Sequence, residues 1–258
     1  NNRFLLKKII KRFDINKNLF FKMIFKLNNL NKKLDFDDLS YIIAPTINSA
    51  GRISNANNVI KLLTSSNEKN INEITNKLFE FNKKRKIIEN IIIKKIKFKK
   101  LTHEKGIIFY FDNEIPEGII GIIASKLKEF FNKPAIVFTK SKDLIKGSAR
   151  SVSSFNIGQY INRAINNKIL ISGGGHNLAA GLTLQKKNID KFKNFLNEIY
   201  TNKNLLNSNK YISKISFSSI NMSFFEDINK LAPFGNQNNK IIFLIENVKI
   251  IKPFIIKE

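Results

Sequence analysis

The apolar residues of this 258-residue chain change period abruptly near position 100, and that switch constrains the fold more than any other feature. Between residues 68 and 100, Ile71, Ile74, Leu78, Phe81, Ile88, Ile92 and Ile96 recur at three- and four-residue steps, with Arg85 in the remaining apolar slot. That spacing predicts one long helix with a narrow apolar stripe, its lysines on a solvated face, able to bridge two domains. From residue 106 the pattern becomes short apolar runs. Residues 106–111, 134–139, 144–151 and 180–184 read as strands, and 118–131, 157–166 and 189–200 as helices. Such alternation implies an α/β domain. Residues 3–30 read as mostly helical, and Pro45 predicts a loop or short turn between residues 40 and 51. After a polar stretch at 201–210, residues 212–220 and 241–251 are β-rich, with a turn signal at Leu231-Ala232-Pro233-Phe234-Gly235-Asn236. These predict the start of a separate β domain.

Lysine and arginine total 45 against 20 acidic residues, a formal charge of +25. A polyanionic partner is the usual meaning of such a balance. Abundant Lys and Asn with scarce Pro is also the composition of an AT-biased coding sequence, so net charge alone does not define a surface. The six arginines, Arg3, Arg12, Arg52, Arg85, Arg150 and Arg163, are therefore more informative than the lysines, because a planar fork is needed where recognition is bidentate. The absence of cysteine excludes disulfides, thiolate zinc sites and thiol nucleophiles. No run approaches the roughly 20 apolar residues of a membrane span. The chain opens on Asn1-Asn2-Arg3 and closes in apolar sequence, which reads as the middle of a longer protein.

Eight of the eleven glycines fall between Gly118 and Gly181. Three of them, Gly173, Gly174 and Gly175, directly precede His176, one of two histidines. Consecutive glycines permit positive φ and close approach to a ligand, and a loop of free N–H groups is a concave anion site. Gly147-Ser148-Ala149-Arg150-Ser151 sets two hydroxyls around a guanidinium, which suits phosphate recognition. Glu117-Gly118-Ile119-Ile120-Gly121 opens a helix, where glycine serves either phosphate binding or helix–sheet packing. No metal-ligand spacing appears, and Asp35, Asp37 and Asp38 read as caps or turn residues.

In order and spacing, Ile43-Ala44-Pro45, Asn48-Ser49-Ala50-Gly51-Arg52, residues 118–125, residues 147–151, Gly174-Gly175-His176 and Ala179-Ala180-Gly181-Leu182 resemble the bacterial RecJ family of the DHH phosphoesterase superfamily. The segment Leu231–Gly235 looks like the opening of that family's oligonucleotide-binding domain. The resemblance implies a cytoplasmic, single-strand-specific 5′→3′ DNA exonuclease of recombination and repair. It implies residues 1–62 as the tail of the catalytic domain, 66–100 as the connecting helix, 101–200 as a mixed-sheet DHH-associated domain, and 210–258 as a truncated oligonucleotide-binding barrel. Mg²⁺ or Mn²⁺ would act in the full-length protein, with no metal held by this chain. His176 would be the catalytic residue. Arg52, Ser148, Arg150, Ser151, Gly174 and Gly175 would bind substrate. Single-stranded DNA is the implied partner, with a single-strand-binding protein or helicase beside it. The alternatives are a stand-alone single-strand-binding module, or a phosphodiesterase of the same superfamily acting on short oligonucleotides. Ile115-Pro116 stands where the family has an aromatic–His pair, and Thr46 where it has a basic residue.

Overall fold

The computed structural model describes residues 2–96, 106–201, 211–235, 238–249 and 252. Two compact units divide the chain: Asp14–Leu206, and Asn1–Phe13 together with Asn207–Glu258. The helices are α1 (Asn2–Arg12), α2 (Leu19–Leu27), α3 (Phe36–Asp38), α4 (Ala44–Ile53), α5 (Asn57–Thr64), α6 (Glu68–Lys95), α7 (Glu117–Phe131), α8 (Ile157–Asn166), α9 (Ile189–Thr201) and α10 (Met222–Lys230). The strands are β1 (Ile108–Phe111), β2 (Ala135–Ser141), β3 (Leu144–Arg150), β4 (Ser172–His176), β5 (Ala179–Leu184), β6 (Ser213–Lys214) and β7 (Phe243–Leu244).

In the larger unit the sheet order is β1-β2-β3-β5-β4. β1 and β2 are parallel, joined through α7, and the remaining pairs are antiparallel. The mixed α/β architecture expected from the sequence is borne out. Alternation along β2 explains its unbroken apolar run. Ile136 and Phe138 enter a core with Phe155, Tyr160, Phe192 and Leu196 from the α8 and α9 side. Ala135 and Val137 enter a second core with Ile119, Ile123 and Leu127 of α7 and Ile92 of α6. Each fully buried aromatic or branched side chain there contributes on the order of 2 kcal/mol. A third core, around Phe20, Ile24, Ile43 and Leu78, lies among the preceding helices. α6 joins the second and third cores. Asn67 caps its start by accepting from the Asn70 N–H, and the expected helical residues 97–100 lie outside the described ones.

Three expectations need correction. The region around Pro45 is helical: Leu39–Ile43 forms a π-helical turn that runs into α4. Pro45 sits in the first turn of α4, where a missing N–H removes no bond of that helix, and the widened turn before it accommodates the ring. The glycine-rich segment is also not a loop. Residues 172–176 form the edge strand β4, paired antiparallel with β5. Among the described residues no glycine has positive φ, so the missing Cβ, not backbone freedom, is what these positions use. Among the described residues of the smaller unit, finally, strand is shorter than expected. β6 and β7 pair over two residues each, and α10 stands between them, its cap made by Asn221 accepting from Phe224 N. Arg3 of α1 donates to the Leu231 carbonyl, and Lys7 to the Lys230 carbonyl at 2.6 Å. Both cations thus meet the carbonyl end of α10, where the helix dipole favours them.

Candidate nucleic-acid interface

Register determines which side chains share a face. Ser148 pairs with Gly181 and Gly181 with Gly174, while Arg150 pairs with Ala179 and Ala179 with His176. Paired residues point to the same side of a sheet. Ser148, Arg150, Gly174, Gly181 and His176 therefore lie on one face, with His176 two strands, roughly 10 Å, from Arg150. A Cβ built at Gly174 or Gly181 would meet nothing within 4 Å, so the floor between them is open. Gly175 belongs to the other side. Its Cβ would lie 2.2 Å from the Ala179 carbonyl oxygen, and Gly158 of α8 packs against its backbone. Ser151 is buried below the face and donates to the Phe155 carbonyl at 2.6 Å.

The N-terminal turns of α7 roof one side of this face. Here two glycines whose spacing fits either packing or binding acquire definite neighbours. A Cβ at Gly121 would lie 2.9 Å from Arg150 Nη2 and 3.1 Å from Ser148 Oγ. A Cβ at Gly118 would lie 2.4 Å from the Arg52 carbonyl oxygen. Glycine at 118 thus lets α7 lie against the Arg52 backbone, and glycine at 121 leaves the Arg150 guanidinium its place. Arg52, in the last turn of α4, donates from Nη1 to the Gly118 carbonyl at 2.8 Å. Arg150 donates to Ser148 Oγ at 3.1 Å and to the Ala149 carbonyl at 2.9 Å. The strand itself therefore orients the Arg150 fork.

The electrostatics of the pair are unusual. Both guanidinium groups are half-buried. Burial lowers the Arg150 pKa, and so does the charge of Arg52. Burial also lowers the Arg52 pKa, with a further push from Arg85 against a pull from Glu89. Both remain cationic at any ordinary pH, because the guanidinium starts so high. Among the described residues no carboxylate lies within 4 Å of either one. Two neighbouring half-buried cations with no carboxylate in contact repel each other and bear a desolvation cost, which a bound anion offsets. With the Ser148 hydroxyl and the amino end of α7, the arrangement fits a phosphate group.

The departures at Thr46 and Ile115 have local explanations. Thr46 is buried, donates to the Ile42 carbonyl at 2.7 Å and accepts from Asn82 at 3.3 Å, where a long basic side chain would not fit. The Ile115 side chain is buried in the second core with Ile119 and Ile123, where an apolar residue fits. No three His, Asp or Glu side chains gather as a metal-ligand set among the described residues, and none of their helices is long and apolar enough to cross a membrane.

Comparison with known proteins gives the arrangement a context. Residues 103–202 match the DHHA1 domain and residues 213–258 the RecJ OB domain. The chain is 29% identical over 222 residues to the single-stranded-DNA-specific exonuclease RecJ of Bacillus subtilis, covering 82% of this chain and 28% of that protein. It is 32% identical over 174 residues to the Escherichia coli protein of the same name, covering 64% and 30%. The crystal structure of RecJ in complex with Mn²⁺ from Thermus thermophilus shares the fold, with a TM-score of 0.76 at 20% identity over 88% of this chain and 34% of that one. The chain thus spans under a third of the two curated relatives' length.

Proposed function

The chain carries the DHHA1 and OB domains of RecJ-type proteins, and from that premise we propose that it is the strand-holding portion of a single-strand-specific 5′→3′ DNA exonuclease acting in recombination and repair. One observation carries the reading: Arg52 and Arg150 both lie against the first turns of α7, half-buried and, among the described residues, without a carboxylate in contact, with Ser148 and an open glycine floor beside Arg150. Arg52, Arg150 and Ser148 hold a backbone phosphate. Gly174 and Gly181 leave room for the adjoining nucleotide. His176, at the end of the same face, is placed to donate to a phosphate oxygen or move a proton. Ser151 supports the turn below, and Gly175 lets β4 lie against β5. Residues 1–62 serve as the tail of the catalytic domain and 66–100 as the connector. Phosphodiester hydrolysis would use Mg²⁺ or Mn²⁺, which activates water for attack on phosphorus. No three His, Asp or Glu side chains gather as a ligand set for it among the described residues. The OB-domain match favours an extended strand over a dinucleotide, because a short substrate needs no second strand-tracking surface.

The test is fluorescence anisotropy with a labelled oligothymidylate against its duplex form. Arg150→Lys keeps the charge and loses the fork, so single-strand affinity is expected to fall roughly tenfold. Equal affinity for the variant and its parent, or equal affinity for duplex and single strand, overturns the reading.

A further inference from the structure

Glu89 is a buried carboxylate that strand holding leaves without a role. It is 6% exposed on α6. Its Oε2 accepts from Arg85 Nη1 at 2.6 Å, and its Oε1 lies 2.6 Å from Lys126 Nζ on α7. Arg85, also buried, donates from Nε to Asn82 Oδ1 at 3.0 Å, and the Asn82 amide reaches Thr46 Oγ1 at 3.3 Å. One polar chain therefore runs from α4 through α6 to α7. These outer two helices are the ones that carry Arg52 and the Gly118 carbonyl it holds. Buried ion pairs seldom stabilise a fold more than apolar groups of the same size would, so stability alone is a poor account of this network. The surrounding charges give a better one. Arg85 and Glu89 act on Arg52 with opposite signs, and Arg52 acts on Arg150. A phosphate arriving at the two arginines competes with Glu89 for the same positive field.

Resting on the phosphate reading of Arg52 and Arg150, we propose that Glu89 is a positioning residue that limits the grip of the anion site. It holds Arg85 and Lys126 in place and offsets part of the arginine field, so that a phosphate is bound loosely enough to be passed on. An anion site without this counter-charge would hold each phosphate more tightly and release the strand more slowly.

The experiment measures oligothymidylate affinity of the full chain at low salt. Glu89→Gln keeps the side-chain shape and removes the charge, and affinity is expected to rise about three- to tenfold. A merely structural role cannot produce tighter binding. Lys126→Gln frees Glu89 from its second partner and is expected to weaken binding about threefold or more. The Lys126 side chain is 43% exposed, so this change is compatible with the fold. Lys128→Gln, the same charge change on the same helix at a lysine that pairs with Glu129, is expected to stay within about twofold of the parent. Unchanged or weaker binding by a folded Glu89→Gln overturns the proposal, as does equal weakening by Lys126→Gln and Lys128→Gln. If Glu89→Gln fails to fold, the two lysine variants decide. Weaker binding by Arg150→Lys alongside an unaltered Glu89→Gln leaves the phosphate reading standing and removes only this one. No effect of Arg150→Lys removes both.

Discussion

At the scale of single residues, Gly118 and Gly121 show how much depends on an absent methyl group. They are three apart on one helix, yet each makes room for a different arginine. The atom nearest a Cβ at Gly121 is Arg150 Nη2, at 2.9 Å, the far end of a flexible side chain. Gly121→Ala is therefore expected to fold. It gains about 0.5–1 kcal/mol of helix propensity, while the guanidinium shifts from its strand-set position. Oligonucleotide affinity should drop by about 1.5 kcal/mol, roughly tenfold, at an unchanged or higher melting temperature. At Gly118 the nearest atoms are backbone, the Arg52 carbonyl oxygen at 2.4 Å and its Cα at 2.7 Å. Gly118→Ala must push α4 from α7 and is expected to lose roughly 1–3 kcal/mol of stability. Calorimetric melting of both variants checks the contrast, and equal melting temperatures would mean that neither glycine is set by its neighbour.

At the scale of elements, β4 marks where sequence reading stopped. β2 and α7 were legible because their apolar residues have a period, and the arginines because they are rare among lysines. Ser172-Gly173-Gly174-Gly175-His176 has no side-chain period, so nothing in its pattern separates an edge strand from a loop. The helix at Pro45 was hidden for another reason: a proline rule that holds for regular helix gives way where a π-turn widens the preceding backbone. Nor could sequence reveal which arginines lack a carboxylate in contact, since Arg85 finds Glu89 four residues away while Arg52 and Arg150 have none within 4 Å among the described residues. The strand's alternation now yields a sharp expectation. Gly173 and Gly175 lie against Ile161, Gly181 and the Ala179–Ala180 backbone, and Gly174 opens on space. Gly175→Ala is expected to cost roughly 2 kcal/mol or more and to loosen the β4–β5 edge. Gly174→Ala should leave stability within about 0.5 kcal/mol, so any loss of affinity it causes comes from the face itself. Chemical denaturation of the two variants checks this, and a Gly174→Ala protein as unstable as Gly175→Ala would refute the facing assigned to the strand.

At the scale of the whole molecule, the question is whether a charge of +25 binds as a cloud or as a site. The charge is the excess of 45 basic over 20 acidic residues, and some of the basic ones are engaged locally with those acids. Lys83 lies 3.0 Å from Glu80 and Lys230 2.7 Å from Asp227, both as exposed pairs one helical turn apart. Such lysines add little field at a distance, because their own acids and the salt screen them. Among the described residues Arg52 and Arg150 have no carboxylate within 4 Å, and they sit half-buried, where screening is weaker. Each phosphate neutralised on a single strand steepens the fall of log affinity with log salt by about 0.7. If each arginine neutralises one phosphate equivalent, Arg52→Gln with Arg150→Gln should flatten that slope by about 1.4. Lys83→Gln with Lys230→Gln removes the same net charge and should leave the slope nearly unchanged. Titrations from 50 to 300 mM salt, a range set to about the Debye regime where exposed charges fade, separate the cases. Equal flattening by both double variants would mean a diffuse cationic surface. Flattening by the arginine pair alone would place the binding charge at the roofed face of the sheet, with the lysines contributing solubility and little grip.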